Sequence, residues 1–135
     1  MFSIFFTAVS NSVEFTYPRN DLLYQPDIVQ KKGDLSKAGR VVSKNMIRFS
    51  IKELKPEDVK DQFESFVIFM VQHLNEINES IGIEERELSF DIVGDVGVND
   101  SRPSLFFSQN TIKSLHIMKA ILGIEVYCVC EDAVV

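Results

Sequence analysis

From Leu54 to Ile81 apolar residues recur in steps of four and three, at Val59, Phe63, Phe66, Met70, Leu74, Ile77 and Ile81. At ~3.6 residues per turn this spacing lines one face of an α-helix and predicts a helix over the whole stretch. Pro56 suits the first helical position, and Glu57 and Asp58 set negative charge against the positive end. Leu54 and Val59 are spaced as a hydrophobic staple, Lys55 is a poor cap, and Gly82 is placed to terminate the helix.

Elsewhere the period is two, the signature of strands. Phe2–Val9 sets Phe2, Ile4 and Phe6 against Ser3, Phe5 and Thr7. Val13, Phe15 and Tyr17 alternate with Glu14 and Thr16, predicting a hairpin partner that Pro18 ends. Val41–Ile51, Glu87–Val96 and Ile124–Cys130 read as further strands, with a short one from Pro103 to Phe107. Ser108 is a good N-cap for a second helix reaching Leu122, with Gly123 closing it. Its polar side is narrow (Gln109, Lys113, His116, Lys119), so the helix is expected to be well buried. Lys31–Arg40 and Gly94–Ser101 carry glycines and no hydrophobic period, and read as loops. The predicted fold is a single α+β domain over residues 1–135. It has two layers, an antiparallel or mixed sheet with two helices packed on one face.

Composition narrows the class. At 135 residues the chain buries roughly two-thirds of its unfolded surface without staples. Eleven Phe and no Trp place the core on Phe, Ile, Val and Leu. Cys128 and Cys130 are too close on one strand for an unstrained bridge. With no disulfide framework, a reducing cytoplasm is the expected compartment. MFSIFFTAVS lacks a charged leader and reads as a strand, and no apolar run reaches the ~20 residues of a membrane helix. Net charge is −6, unevenly spread. Residues 1–55 carry nine Lys and Arg against five Asp and Glu, a net of +4; residues 56–135 carry five against fifteen, a net of −10. Such a balance disfavours nucleic acid and favours a basic protein partner.

Reaction chemistry is not displayed. There is no GxSxG, HExxH or phosphate loop, and Cys-x-Cys with His73 and His116 on different helices matches no metal spacing. The cysteines are expected to pack as small apolar residues, and His73 to lie at the edge of the apolar stripe. Neither an enzyme nor a cofactor is expected. Lys31, Lys32, Lys37, Arg40 and Lys44 form a basic loop without interleaved aromatics, read as solvated. Asp91 with Asp95, and Glu84 with Glu85 and Glu87, carry little information in so acidic a chain.

One constellation remains. Opposite the apolar stripe, the long helix carries Glu57, Asp61, Glu64, Ile68, Gln72, Asn75 and Glu79, an acidic and amide row with an apolar residue at its centre, flanked by Phe69. Carboxylates there would steer a basic partner and Ile68 would anchor it.

Two segments carry a resemblance. QPDIVQKKGDLSKAGRVVSKNMIRFSI has a Pro…KKGD…Arg…Asn pattern, and ELSFDIVGDV with RPSLFFSQNTIKSLHIMKAILGIEVYCV runs strand, short strand, Ser-capped helix and strand. Together they resemble bacterial domain-of-unknown-function family 4279. Members usually carry an aromatic such as Trp soon after the Asn, where this chain has Met46 and Ile47 after Asn45. The resemblance implies a small α+β domain similar to proteins of bacterial toxin–immunity loci. The expected function is thus a cytoplasmic immunity-type protein that neutralises a partner toxin, a basic nuclease for choice, by stoichiometric, non-catalytic inhibition. The alternative is a non-enzymatic interaction or ligand-binding subunit with no toxin partner.

Overall fold

The first strand is the middle of the sheet. β1 (Phe2–Ser10) buries every second residue, Phe2, Ile4, Phe6, Ala8 and Ser10, as its alternation predicts. A computed structural model describes residues 1–16, 18–77, 86–97 and 105–129, the side chains of 74–77 apart. In it β1 lies antiparallel to β3 (Asn45–Leu54) on one side and to β4 (Glu87–Gly97) on the other. A three-residue β2 (Ile28–Gln30) adds antiparallel to β3, and β5 (Ile121–Val129) adds parallel to β4. The order β2-β3-β1-β4-β5 makes a mixed sheet. Helices α1 (Val59–Ile77) and α2 (Gln109–Met118) pack on one of its faces, giving the expected two-layer α+β fold.

The core follows from two periods meeting. Period two brings Phe2, Ile4, Phe6, Ile47, Phe49, Leu88, Phe90 and Ile92 to one face of the sheet. Period 3.6 brings Val59, Phe63, Phe66 and Met70 of α1 onto it, with Val67 and Phe69 widening the stripe. Phe90 is the hub: its ring centroid lies 4.9 Å from Phe6, 5.8 Å from Phe63 and 5.9 Å from Phe66. Gly94 of β4 faces the Phe2 ring, and a Cβ there would overlap it. This glycine lies within the strand because the core leaves no volume for a side chain.

Several local expectations are corrected. No strand forms at Val13–Thr16, because β3 and β4 already occupy both edges of β1. The Ser10 hydroxyl instead accepts from the Ser12 and Val13 amides and turns the chain, leaving Phe15 buried. Tyr17 lies outside the described residues, and Asn20–Tyr24 forms turns and bends. The third strand starts at Asn45 and runs on to Leu54, so Leu54 belongs to the sheet. A 3₁₀ turn, Pro56–Asp58, opens the helix region, and Lys55 makes no side-chain cap. α1 is assigned to Ile77; Ile81 and Gly82 lie outside the described residues.

Lys31–Arg40 is an ordered hairpin-like turn. Leu35 bridges Val41, Gly33 N–H donates to Val42 O at 2.9 Å, and Gly33 and Gly39 hold φ of 95° and 77°. Buried Asn45 fastens it to β3 by accepting from Lys32 N–H at 2.8 Å.

Ser108 caps α2 as expected, its Oγ accepting from Thr111 N–H at 3.2 Å. Leu105–Phe107 before it is not a strand; Pro103 lies outside the described residues. The helix ends at Met118, however. Lys119 takes the left-handed conformation (φ 53°, ψ 39°) and β5 begins at Ile121, which places Gly123 inside the strand. Nor is α2 well buried: only Thr111, Leu115 and Met118 are covered, and Ile112 and Ile117 are exposed. β5 has β4 on one side only among the described residues, and Ile121, Ile124, Val126, Tyr127 and Val129 are all exposed. Cys128 is exposed there too, not packed in the core; Cys130 lies outside the described residues.

Candidate functional site

Two surfaces, on opposite sides of the sheet, carry exposed chemistry. The first is the outer face of α1. With ~100° between successive residues, Asp61, Glu64, Ile68 and Gln72 fall in one arc away from the core, and Glu57 precedes them in the 3₁₀ turn. Glu57, Asp61 and Gln72 are exposed, Glu64 is half-buried, and Ile68 is 53% exposed. Phe69 does not flank Ile68 at the surface. It is buried, its ring 4.8 Å from Tyr24 and 4.6 Å from His73, which is itself partly buried. The apolar neighbour that does reach solvent is Val71, one turn on and 41% exposed. Glu64 keeps Oε1 out of water without a hydrogen-bond partner among the described residues. Glu79 and the side chain of Asn75 lie outside the described residues, as do Glu84 and Glu85.

The second surface is the face of the sheet opposite α1 and α2, which no helix covers among the described residues. Residues alternating with the core line it: Phe5 and Thr7 of β1, Met46 and Arg48 of β3, Ser89 and Asp91 of β4, Gly123 and Glu125 of β5. Arg48 lies across Phe5, its guanidinium carbon 4.0 Å from the ring centroid. Its Nε is shielded from water and has no hydrogen-bond partner among the described residues. Asp91 sits beside it in a cleft of about 270 Å³ lined also by Thr7, Gly123 and Glu125. Burial first, and then the charge of Glu125, push the Asp91 carboxyl above the usual aspartate range, against the pull of Arg48. At the rim Tyr127 donates to Glu125 Oε2 at 2.7 Å, and that bond holds the phenol above its usual range.

Sequence reasoning passed over this second surface. Asp91 is one carboxylate among twenty acidic residues, and nothing local ties it to Arg48. One signal was available. Gly123 interrupts an apolar strand, and its missing side chain makes room for Asp91: a Cβ there would overlap Oδ1.

A third hollow, about 450 Å³, lies between the basic hairpin and the sheet edge, with Arg40, Lys44, Gln30 and Glu87 on its walls. Lys32, Lys37, Arg40 and Lys44 are exposed, and Lys31 pairs with Glu14 at 3.7 Å. Among the described residues no group of three or more His, Cys, Asp or Glu is placed to hold a metal ion, and no helix is long and apolar enough to cross a membrane.

No family model matches the chain, and neither a curated protein nor a solved structure does. The resemblance to family 4279 therefore rests on the quoted segments alone.

Proposed function

We propose that the chain is an immunity-type inhibitor, a cytoplasmic protein that binds a basic toxin domain one to one and blocks it without catalysis. The supporting observation is the outer face of α1, where Ile68 and Val71, one turn apart, are exposed just beyond Asp61 and Glu64, with Glu57 preceding them in the 3₁₀ turn. A small apolar centre rimmed by charge is how protein interfaces divide anchoring from steering. The −10 balance of residues 56–135 extends the attraction beyond the contact itself.

The test is co-expression with the product of the neighbouring gene, followed by association kinetics. Complex formation and protection of the host support the reading. Loss of neither toxicity nor the free pool of partner sinks it. If α1 is the contact, Asp61→Lys with Glu64→Lys slows association about tenfold or more at low salt and flattens its salt dependence. An unchanged on-rate would move the interface elsewhere.

A further inference from the structure

The open face of the sheet carries a site that the proposed inhibitor role does not use. We propose that the cleft between Arg48, Phe5, Asp91 and Glu125 binds a small zwitterion, a free α-amino acid, with its carboxylate on Arg48 and its ammonium on Asp91 and Glu125.

Three observations lead there. The first is an unmet demand for partners. Asp91 is pressed into a sheet surface where burial disfavours its charge, and Arg48 holds Nε away from water with no acceptor among the described residues. Polar groups desolvated in this way weaken a fold, so they mark places where something other than folding is served.

The second is the room made for the carboxylate. A glycine inside a strand costs stability relative to any residue with a side chain. Gly123 stands in the cleft wall where a Cβ would collide with Asp91 Oδ1. The neighbouring strand has given up a side chain to accommodate one carboxyl group.

The third is the arrangement of charge and size. Arg48 and the pair Asp91–Glu125 are separate walls of one cleft, with no ion pair closing Arg48 onto either acid among the described residues. Donors therefore face acceptors across an open gap. At about 270 Å³ the cleft is at the small end for a ligand pocket. That volume accommodates a molecule of amino-acid size. The Phe5 ring, beneath the guanidinium, is one of the apolar groups that line the cleft.

The experiment is a titration of the full ¹⁵N-labelled chain with individual L-amino acids at up to millimolar concentration, low salt and neutral pH, followed by amide shifts. Saturable shifts centred on Phe5, Thr7, Arg48, Asp91, Gly123 and Glu125 are expected. Arg48→Met and Asp91→Asn, each checked for an intact fold by circular dichroism, should weaken binding about tenfold or more, the loss of one charge-assisted hydrogen bond. Asp61→Asn on the opposite side should leave it unchanged. Two comparison ligands separate the walls: the amide of the best amino acid, which lacks the anion, and its deaminated acid, which lacks the cation, should both bind weakly. Absence of saturable shifts overturns the proposal. So does either comparison ligand binding as well as the amino acid, which would reduce the cleft to a simple anion or cation site.

Discussion

Arg48 and Phe5 form a stacked pair on the uncovered side of the sheet, guanidinium over ring at 4.0 Å. The stack brings a positive charge within Coulombic reach of Asp91, two strands away, whose carboxyl it pulls downward. Removing that charge as Arg48→Met gives up a ring contact of about 0.5–1 kcal/mol. It also removes a shielded N–H that has no acceptor among the described residues. These oppose each other, so the melting temperature should move little. The Asp91 carboxyl should titrate higher than in the parent chain, which carboxyl-detected NMR across pH reads directly.

Asp91 itself lowers stability at neutral pH. A carboxyl whose folded pKa is raised binds its proton more tightly folded than unfolded. Its own contribution to stability is then greatest below the ordinary value of 3.8 and is lost as pH climbs through the raised folded value. Asp91→Asn should therefore raise the urea midpoint at pH 7 and leave it unchanged well below 3.8. A midpoint that falls at pH 7 would show that the carboxylate is paired, contrary to its surroundings. Stabilisation accompanied by lost amino-acid binding would be the trade expected of a functional residue.

Gly123 and Asp91 should prove coupled. Gly123→Ala puts a methyl group where Oδ1 lies, and forced repacking of this kind costs about 1–3 kcal/mol. In an Asp91→Ala background the same change meets open space. A double-mutant cycle by chemical denaturation should return at least about 0.5 kcal/mol of interaction; additive losses would remove the steric account.

The two faces of α1 should respond oppositely to truncation. Phe66 is buried against Phe90, and Phe66→Ala should cost about 3–5 kcal/mol. Ile68 is more than half exposed, and Ile68→Ser should stay within about 0.5 kcal/mol in the same urea melts. A large loss at Ile68 would mean that the residue serves the fold, and would withdraw it from the proposed contact surface.

At the end of α2, Lys119 adopts the conformation glycine prefers. Lys119→Gly should stabilise by up to about 1 kcal/mol through relief of the left-handed penalty. Ser108→Ala at the other end should cost about 1 kcal/mol through the lost cap. Thermal melts of the two variants should shift in opposite directions.

The core was legible because its signals are local. Val59, Phe63, Phe66 and Met70 declare a helix face, Phe2, Ile4 and Phe6 a strand face, and both were found buried. The failures share another cause: pairing is a property of the whole sheet. Val13–Thr16 has the alternation of a strand, but β3 and β4 take both sides of β1, the partner a hairpin would need, while Ile28–Gln30 shows little alternation and is seated by β3. Gly123 looked like a helix stop because glycine usually is one, yet a strained Lys119 does that work. The cleft escaped notice for the same reason. Arg48, Phe5, Asp91 and Glu125 come from four strands, and only the register brings them together.

That register has a consequence for synthesis. Phe6 is flanked by Phe49 on one side and Phe90 on the other, so the strand made first cannot be completed until β4 has been made. Until then Phe2, Ile4 and Phe6 form a strip that needs cover, on a strand with at least one open edge. A nascent or truncated chain ending before Glu87 therefore presents β1 with one edge unpaired, and translation through β4 is the point at which that hazard closes.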